Sequence, residues 1–131
     1  MKRIVTILLC VFSGLSAYAQ KDFGGIASFD RTVHDFGKID IRDGAVNCSF
    51  KVTNISKESI NILAVVTSCG CTSATWTRTD IAPAAKGTIE VTYKNDEGPY
   101  PFDKALSVYI SGIERPVIIH VKGITVKGKK K

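Results

Sequence analysis

The chain has 131 residues, 44% of them hydrophobic and 23% charged, which suits one domain with a core of its own. Its formal net charge of +6 sits at the two ends: without Lys2, Arg3 and the lysines at 127, 129, 130 and 131, the segment Gln20 to Val126 carries 12 basic and 12 acidic residues. With that balance the pI of about 9.2 is no evidence for a nucleic-acid-binding face; it reports a leader and a tail.

The first residues read as a secretory signal peptide. Lys2 and Arg3 are basic, Ile4 to Leu15 is apolar apart from Thr6, Ser13 and Gly14, and Ala17-Tyr18-Ala19 forms an A-x-A cleavage signature. The apolar stretch is short of the roughly 20 residues a membrane span needs. Residues 1–19 are therefore expected to be removed between Ala19 and Gln20, placing the mature chain in the periplasm or at the cell surface. A retained N-terminal anchor is the competing reading. Lipidation at Cys10 is disfavoured because Leu9, and no small residue, precedes it. No later stretch is apolar enough to span, so no transmembrane segment is expected in the mature chain.

From there the pattern is apolar–polar alternation, the mark of half-buried strands. Thr32 to Phe36 opens the series. Val46, Cys48, Phe50 and Val52 alternate with polar neighbours; Ile60 to Val66 is more continuously apolar and suits a central strand; Thr72 to Trp76 follows. Ile89, Val91 and Tyr93, then Leu106, Val108 and Ile110, then Val117, Ile119 and Val121 repeat the alternation. Turn residues fill the gaps at Gly37 to Gly44, Asn54 to Ser59, Ala82 to Gly87, Asn95 to Pro101 and Ser111 to Pro116. No window has a helical period. About seven short strands with regular punctuation predict an all-β fold, an immunoglobulin-like antiparallel β-sandwich over residues 20–126. The single Trp76 follows Cys71, so the Cys…Trp…Cys pin of antibody domains is missing. Residues 127–131, Lys and Gly only, are expected to be a disordered solvated tail, with attraction to anionic surfaces as its functional alternative.

Several motifs in this series are familiar together. They are Phe29-Asp30, His34-Asp35-Phe36-Gly37, Phe50-x-Val52-Thr53-Asn54, Ser68-Cys69-Gly70-Cys71-Thr72 followed by Trp76, Ile81-Ala82-Pro83 with Gly87, Val91-x-Tyr93, and Gly98-Pro99-x-x-Phe102. The series, from Phe29 to Gly123, resembles the bacterial domain of unknown function 1573 family. The resemblance implies an immunoglobulin-like sandwich, related in shape to hydin-type and major-sperm-protein-like domains, in an exported protein. It supplies no biochemical activity. The chain departs from the pattern between Tyr109 and Pro116, and Cys48 falls outside it.

Three cysteines, Cys48, Cys69 and Cys71, belong to the predicted mature chain, and an odd number leaves one thiol unpaired within it. A Cys69–Cys71 disulfide is one arrangement. In an extended strand those Cα atoms would lie roughly 6.5–7 Å apart, at the upper limit for a bridge, so closure needs a tight turn and gives a small, reducible ring; Gly70 can supply such a turn. A bridge from Cys48 to Cys69 or Cys71 is the second, structural, arrangement. The third is two free thiols on one face, suited to copper or zinc, with His34 or His120 as further ligands because two sulfurs do not complete a zinc site. Disulfide exchange would use the same atoms, without the helix N-terminus that usually lowers a reactive thiol's pKa.

Other candidates carry less. His34 and Asp35 are neighbours on a strand and point to opposite sides; His120 is expected to face outward; Trp76 reads as packing. Asn47-Cys48-Ser49 and Asn54-Ile55-Ser56 fit the glycosylation pattern but lie in or beside a strand. No Ser-His-Asp order, phosphate loop or paired acids stand out, so no catalytic residue and no cofactor is assigned. The expected role is a non-enzymatic binding or structural module of the cell envelope, its partner an envelope protein or glycan rather than nucleic acid. A thiol-based metal or disulfide-exchange site is the alternative.

Overall fold

The computed structural model describes residues 21–128; the expected leader, its Ala19–Gln20 cleavage site and residues 129–131 lie outside the described residues. Among the described residues nine strands run in order: β1 (Lys21–Phe23), β2 (Ala27–Phe29), β3 (Val33–Asp40), β4 (Val46–Asn54), β5 (Ile62–Thr67), β6 (Thr72–Trp76), β7 (Lys86–Tyr93), β8 (Pro101–Ile110) and β9 (Val117–Val126). They form a sandwich of a five-stranded sheet, β1-β2-β4-β7-β6, and a four-stranded sheet, β3-β9-β8-β5.

The alternation fixes which side chains meet. Phe50 faces Ile89 and Cys48 faces Val91 across β4–β7; Leu106 faces Ile119 and Val108 faces Val117 across β8–β9. All are buried. Because side chains alternate between faces with period two, the residues between them go to solvent, and the inner faces of both sheets share one core with Phe29, Val52 and Ile81.

The fold departs from the expected antiparallel sandwich of seven strands in three ways. β1 and β2 are additional, each only three residues long and joined by a turn in which Gly24 and Gly25 take positive φ; strands so short show no alternation to read. β3 pairs with β9 in parallel, the one parallel pair among the described residues, whose other ladders are antiparallel. This lets β3 cover the β9 edge while the chain crosses to β4 in the other sheet. The expected turn at Gly37 to Gly44 is instead strand as far as Asp40, interrupted by a register shift between Asp35 and Lys38, and then one turn of 3-10 helix at Ile41–Asp43.

Two buried asparagines close the ends of the sandwich. At one end Asn54 donates from Nδ2 to the carbonyls of Glu58 (2.7 Å) and Ile81 (2.8 Å) and accepts from Ser56 N (2.9 Å) and Oγ (2.7 Å). At the other end Asn95, at φ 60°, donates to the carbonyls of Asp40 (2.9 Å) and Gly44 (3.0 Å) and accepts from Thr125 Oγ1 (2.8 Å). Crossover segments have no ladder partners, and these side chains satisfy their backbone groups. Among the described residues no helix is long and apolar enough to cross a membrane.

Candidate functional site

Cys69 and Cys71 lie in the short connection that carries the chain from β5 in one sheet to β6 in the other. The turn brings their Cα atoms to 5.2 Å and a disulfide joins them. An extended strand would have held them too far apart; leaving the ladder is what makes closure feasible. Gly70 is not among the residues with positive φ, and a Cβ there would meet nothing within 4 Å. The turn therefore does not draw on glycine's special freedom, contrary to the role expected for it.

The backbone around the sulfurs is well satisfied. Cys69 O accepts from Thr67 Oγ1 (3.2 Å) and Thr72 N (3.4 Å), and Cys71 N donates to Cys69 Sγ (3.2 Å). Cys71 O accepts from Lys94 N (2.9 Å), tying the turn to the β7–β8 connection. Cys71 is buried in a small cluster with Tyr93 and Phe102; Cys69 is half-buried at its margin. The Tyr93 and Phe102 rings stack with centroids 4.0 Å apart. Phe102 fits because Gly123 lies opposite it: a Cβ at Gly123 would come within 2.9 Å of Gly37 O and 3.0 Å of the Phe102 ring.

The β7–β8 connection adds a group that the sequence pattern did not mark. Held by buried Asn95, it brings the Glu97 carboxylate to the turn, so that Cys69 Sγ, Cys71 Sγ and a Glu97 oxygen all lie within 4.8 Å of one another. Glu97 Oε1 accepts from Tyr93 Oη at 2.8 Å, and Lys104 Nζ lies 2.9 Å from Oε1 and 3.1 Å from Oε2. Lys104 occupies an inward position of β8, between Phe102 and Leu106, and is largely covered. Its hydrogen bond, followed by that from Tyr93, holds the Glu97 carboxyl below the usual carboxylate range. Tyr93 is pushed up to about 12, first by burial and then by the Glu97 carboxylate.

The remaining candidates lie elsewhere. Cys48 is a free, buried thiol in the main core, its ionisation pushed up to about 11, chiefly by burial. No bridge joins it to Cys69 or Cys71, and the sheet order explains why. β4 and β6 flank β7 on opposite sides, roughly 9.5 Å apart at two strand spacings, beyond the reach of a disulfide. Neither histidine belongs to the sulfur–carboxylate group. His34 Nδ1 is 3.0 Å from Arg31 Nη2 and its ring stands edge-on to Phe36. Burial, then the Arg31 charge, lowers its pKa. Asp35 is on the opposite side and accepts from Gly37 N. His120 lies on the outer face, 2.8 Å from Asp103. Trp76 packs against the core beneath the Arg78 guanidinium, 3.8 Å from its ring centroid. Asn47 accepts from Thr92 Oγ1 within the sheet, and Asn54, its amide engaged and buried, is closed to glycosylation.

A family model described as protein of unknown function (DUF1573) matches residues 27–125. Among solved structures, the fold is similar to a protein of unknown function from Porphyromonas gingivalis W83, at 19% identity and TM-score 0.65, over 76% of this chain and 46% of that one. It is similar to the Vibrio cholerae VesB protease, at 19% identity and TM-score 0.59, over 76% of this chain and 32% of that one. It is also similar to the ASH / PapD-like domain 7 of human CEP192, at 6% identity and TM-score 0.62, over 80% of this chain and 88% of that one. The chain thus spans less than half the length of the first two. At these identities the likeness is one of fold, a PapD-like, immunoglobulin-like sandwich. No curated protein matches the chain.

Proposed function

The chain belongs to the DUF1573 family of proteins of unknown function, and on that premise we propose that it is an exported, non-enzymatic, immunoglobulin-like module of the bacterial cell envelope, docking an envelope protein or glycan on one outer sheet face. The observation that carries this reading is the contrast between the two outer faces. The four-stranded sheet exposes Val33, Leu63, Val66, Tyr109, Ile118 and Ile124, each between 41% and 61% accessible. The five-stranded sheet exposes Asn47, Ser49, Lys51, Ser73, Thr75 and Glu90. Scattered apolar residues are ordinary on a surface, but a set gathered on one sheet face is the usual mark of a docking surface.

A photo-crosslinking residue at Tyr109, in a bacterium exporting the chain, should give a discrete adduct. The same probe at Thr75 should give none, and Val66→Lys with Ile118→Lys should suppress the Tyr109 adduct. Equal crosslinking from both faces would defeat the docking assignment. Fractionation should recover from the envelope a chain that begins at Gln20; a cytoplasmic chain retaining residues 1–19 would defeat the exported one. Turnover of a thiol–disulfide substrate, lost in Cys69→Ser, would overturn the non-enzymatic reading.

A second reading, thiol–disulfide exchange or copper or zinc binding at Cys69 and Cys71, is favoured by one observation. The disulfide sits at a half-exposed turn with a carboxylate beside it. Mass spectrometry of the native protein tests it, since a fully and permanently oxidised pair in every growth condition would leave neither exchange nor metal binding a place.

A further inference from the structure

We propose that the reduced Cys69–Cys71 pair and Glu97 form a redox-gated site for a zinc-class divalent cation. The proposal deepens the metal-binding branch of the second reading above, naming Glu97 as third ligand and zinc-class cations as cargo, and rests on that reading in requiring that the disulfide can be reduced.

The donor set is the first argument. Two sulfurs and one carboxylate oxygen lie within 4.8 Å of one another, close enough for one ion to touch all three. Three protein ligands with an open fourth position is the pattern of accessible zinc sites, whereas two sulfurs alone are not. Glu97 fills the place for which the sequence offered only His34 and His120. An oxygen donor beside two thiolates also favours borderline zinc over copper(I), which prefers an all-sulfur set.

The surroundings are the second argument. Cys71 N–H points at Cys69 Sγ, and a donated hydrogen bond favours the thiolate that a metal requires. Tyr93 Oη and Lys104 Nζ fix the Glu97 carboxylate in place, as outer hydrogen bonds do for metal ligands. A carboxylate has about four lone-pair sites, so these two neighbours leave capacity for an ion. Two thiolates and a carboxylate exceed a dication by one negative charge, and the largely covered Lys104 ammonium offsets it. Cys69 is half-buried while Gly70 and Glu97 are exposed, which leaves an entry path.

The chemistry balances with a thiol reductant. Two thiol groups of the reductant become its disulfide, and their two electrons and two protons pass to Cys69 and Cys71 as two S–H groups. The cation then displaces both protons to solvent and forms two metal–sulfur bonds, while Glu97, already ionised, supplies its oxygen without releasing a proton. Oxidation of the sulfurs back to the disulfide, with two electrons passing to an oxidised thiol such as a small-molecule disulfide, expels the ion.

The test uses the full mature chain, reduced with a phosphine to avoid a competing thiol, and cobalt(II) as a spectroscopic stand-in for zinc. Reduction should add two thiols to the one of Cys48, counted by mass after alkylation in denaturant, and one cobalt per folded chain should then give sulfur-to-cobalt charge-transfer absorption that zinc abolishes. The oxidised chain should give none. Glu97→Gln, which keeps the Tyr93 hydrogen bond, should weaken binding by about tenfold or more, Cys69→Ser should remove the charge-transfer signal of the pair, and Cys48→Ser should change nothing. Charge-transfer absorption absent from the reduced wild type, or present equally in the oxidised chain, would overturn the site. Equal affinity in Glu97→Gln would overturn the three-donor assignment in favour of a two-sulfur site. Failure to release thiols under the phosphine would overturn the gating and, separately, the reducibility on which it rests.

Discussion

Reducing the Cys69–Cys71 disulfide should cost the fold little. The closed loop holds only three residues, since the cysteines are two apart in sequence. In the chain-entropy account a loop that short stabilises by only about 1.6 kcal/mol at 25 °C, against about 3 for a fifteen-residue loop. Nothing else at the turn depends on the bond: Cys71 O keeps Lys94 N, Cys69 O keeps Thr72 N, and the buried Cys71 keeps its contacts with Tyr93 and Phe102. For a domain of this size the loss corresponds to a fall in Tm of about 7 °C. Urea unfolding and calorimetry of the mature chain, with and without a phosphine, measure it, with Cys69→Ser as the irreversible counterpart. Cys48 should stay unreactive to a thiol reagent in both folded states, because it is buried and its thiol pKa is raised to about 11. A loss above about 3 kcal/mol would refute the reasoning, since that is the range of disulfides that staple small domains, and would make the pair a structural element of the sandwich.

Two further expectations concern the ends of the sandwich. Asn54→Ala removes the amide that serves Glu58 O, Ile81 O and Ser56 from a site with no solvent access. Ile81 O retains Ile60 N, so the cost should be about 2–3 kcal/mol, read as a lower urea midpoint at unchanged m; Asn54→Asp, which sets an oxygen against two carbonyls, should cost more. At the other end Tyr93 should ionise near pH 12, well above the ordinary tyrosine range. A folded pKa raised above the unfolded one stabilises fully below the unfolded value, about 10. That contribution is lost as pH rises from there through about 12. Ultraviolet titration of the wild type against Tyr93→Phe resolves this, and Glu97→Gln should move the value down while burial keeps it above the ordinary range. A Tyr93 that titrated in the ordinary tyrosine range would contradict the placement.

How much could be read beforehand followed the range of the interactions. Phe50 and Val52, Ile89 and Val91, Val108 and Ile110, and Val117 and Ile119 declare their inward faces through local alternation, because a strand half-buried in a sandwich must alternate. β1 and β2 are too short to show a period, although Phe29 is fully buried, and the parallel seat of β3 on β9 depends on residues far apart in the chain. The sulfur motif was legible as residues and its geometry was not: the Cα separation depends on whether the motif lies in a strand or in a sheet crossover. Glu97 was invisible for a related reason. It sits in a segment that reads as a turn, and the buried Asn95, bonded to Asp40 and Gly44 at the β3–β4 connection and to Thr125 in β9, holds that segment beside the cysteines.

The two asparagine-closed ends bear on what the sulfurs are for. Each end is a place where the chain changes sheets and backbone groups lose their ladder partners, and each meets that need with one buried amide bonding to carbonyls of distant segments. At the Asn54 end the buried amide is met by Ser56 and main chain, with an Asn61–Asp80 hydrogen bond beside it, and among the described residues no sulfur takes part. The Asn95 end uses the same device and then adds a disulfide, a carboxylate, a phenol and an ammonium within one cluster of contacts. Since the fold closes one end without these groups, folding does not require them at the other. A pair of sulfurs that stabilises by only about 1.6 kcal/mol, set beside a carboxylate held in place by Lys104 and Tyr93, is better explained by chemistry at that end than by architecture.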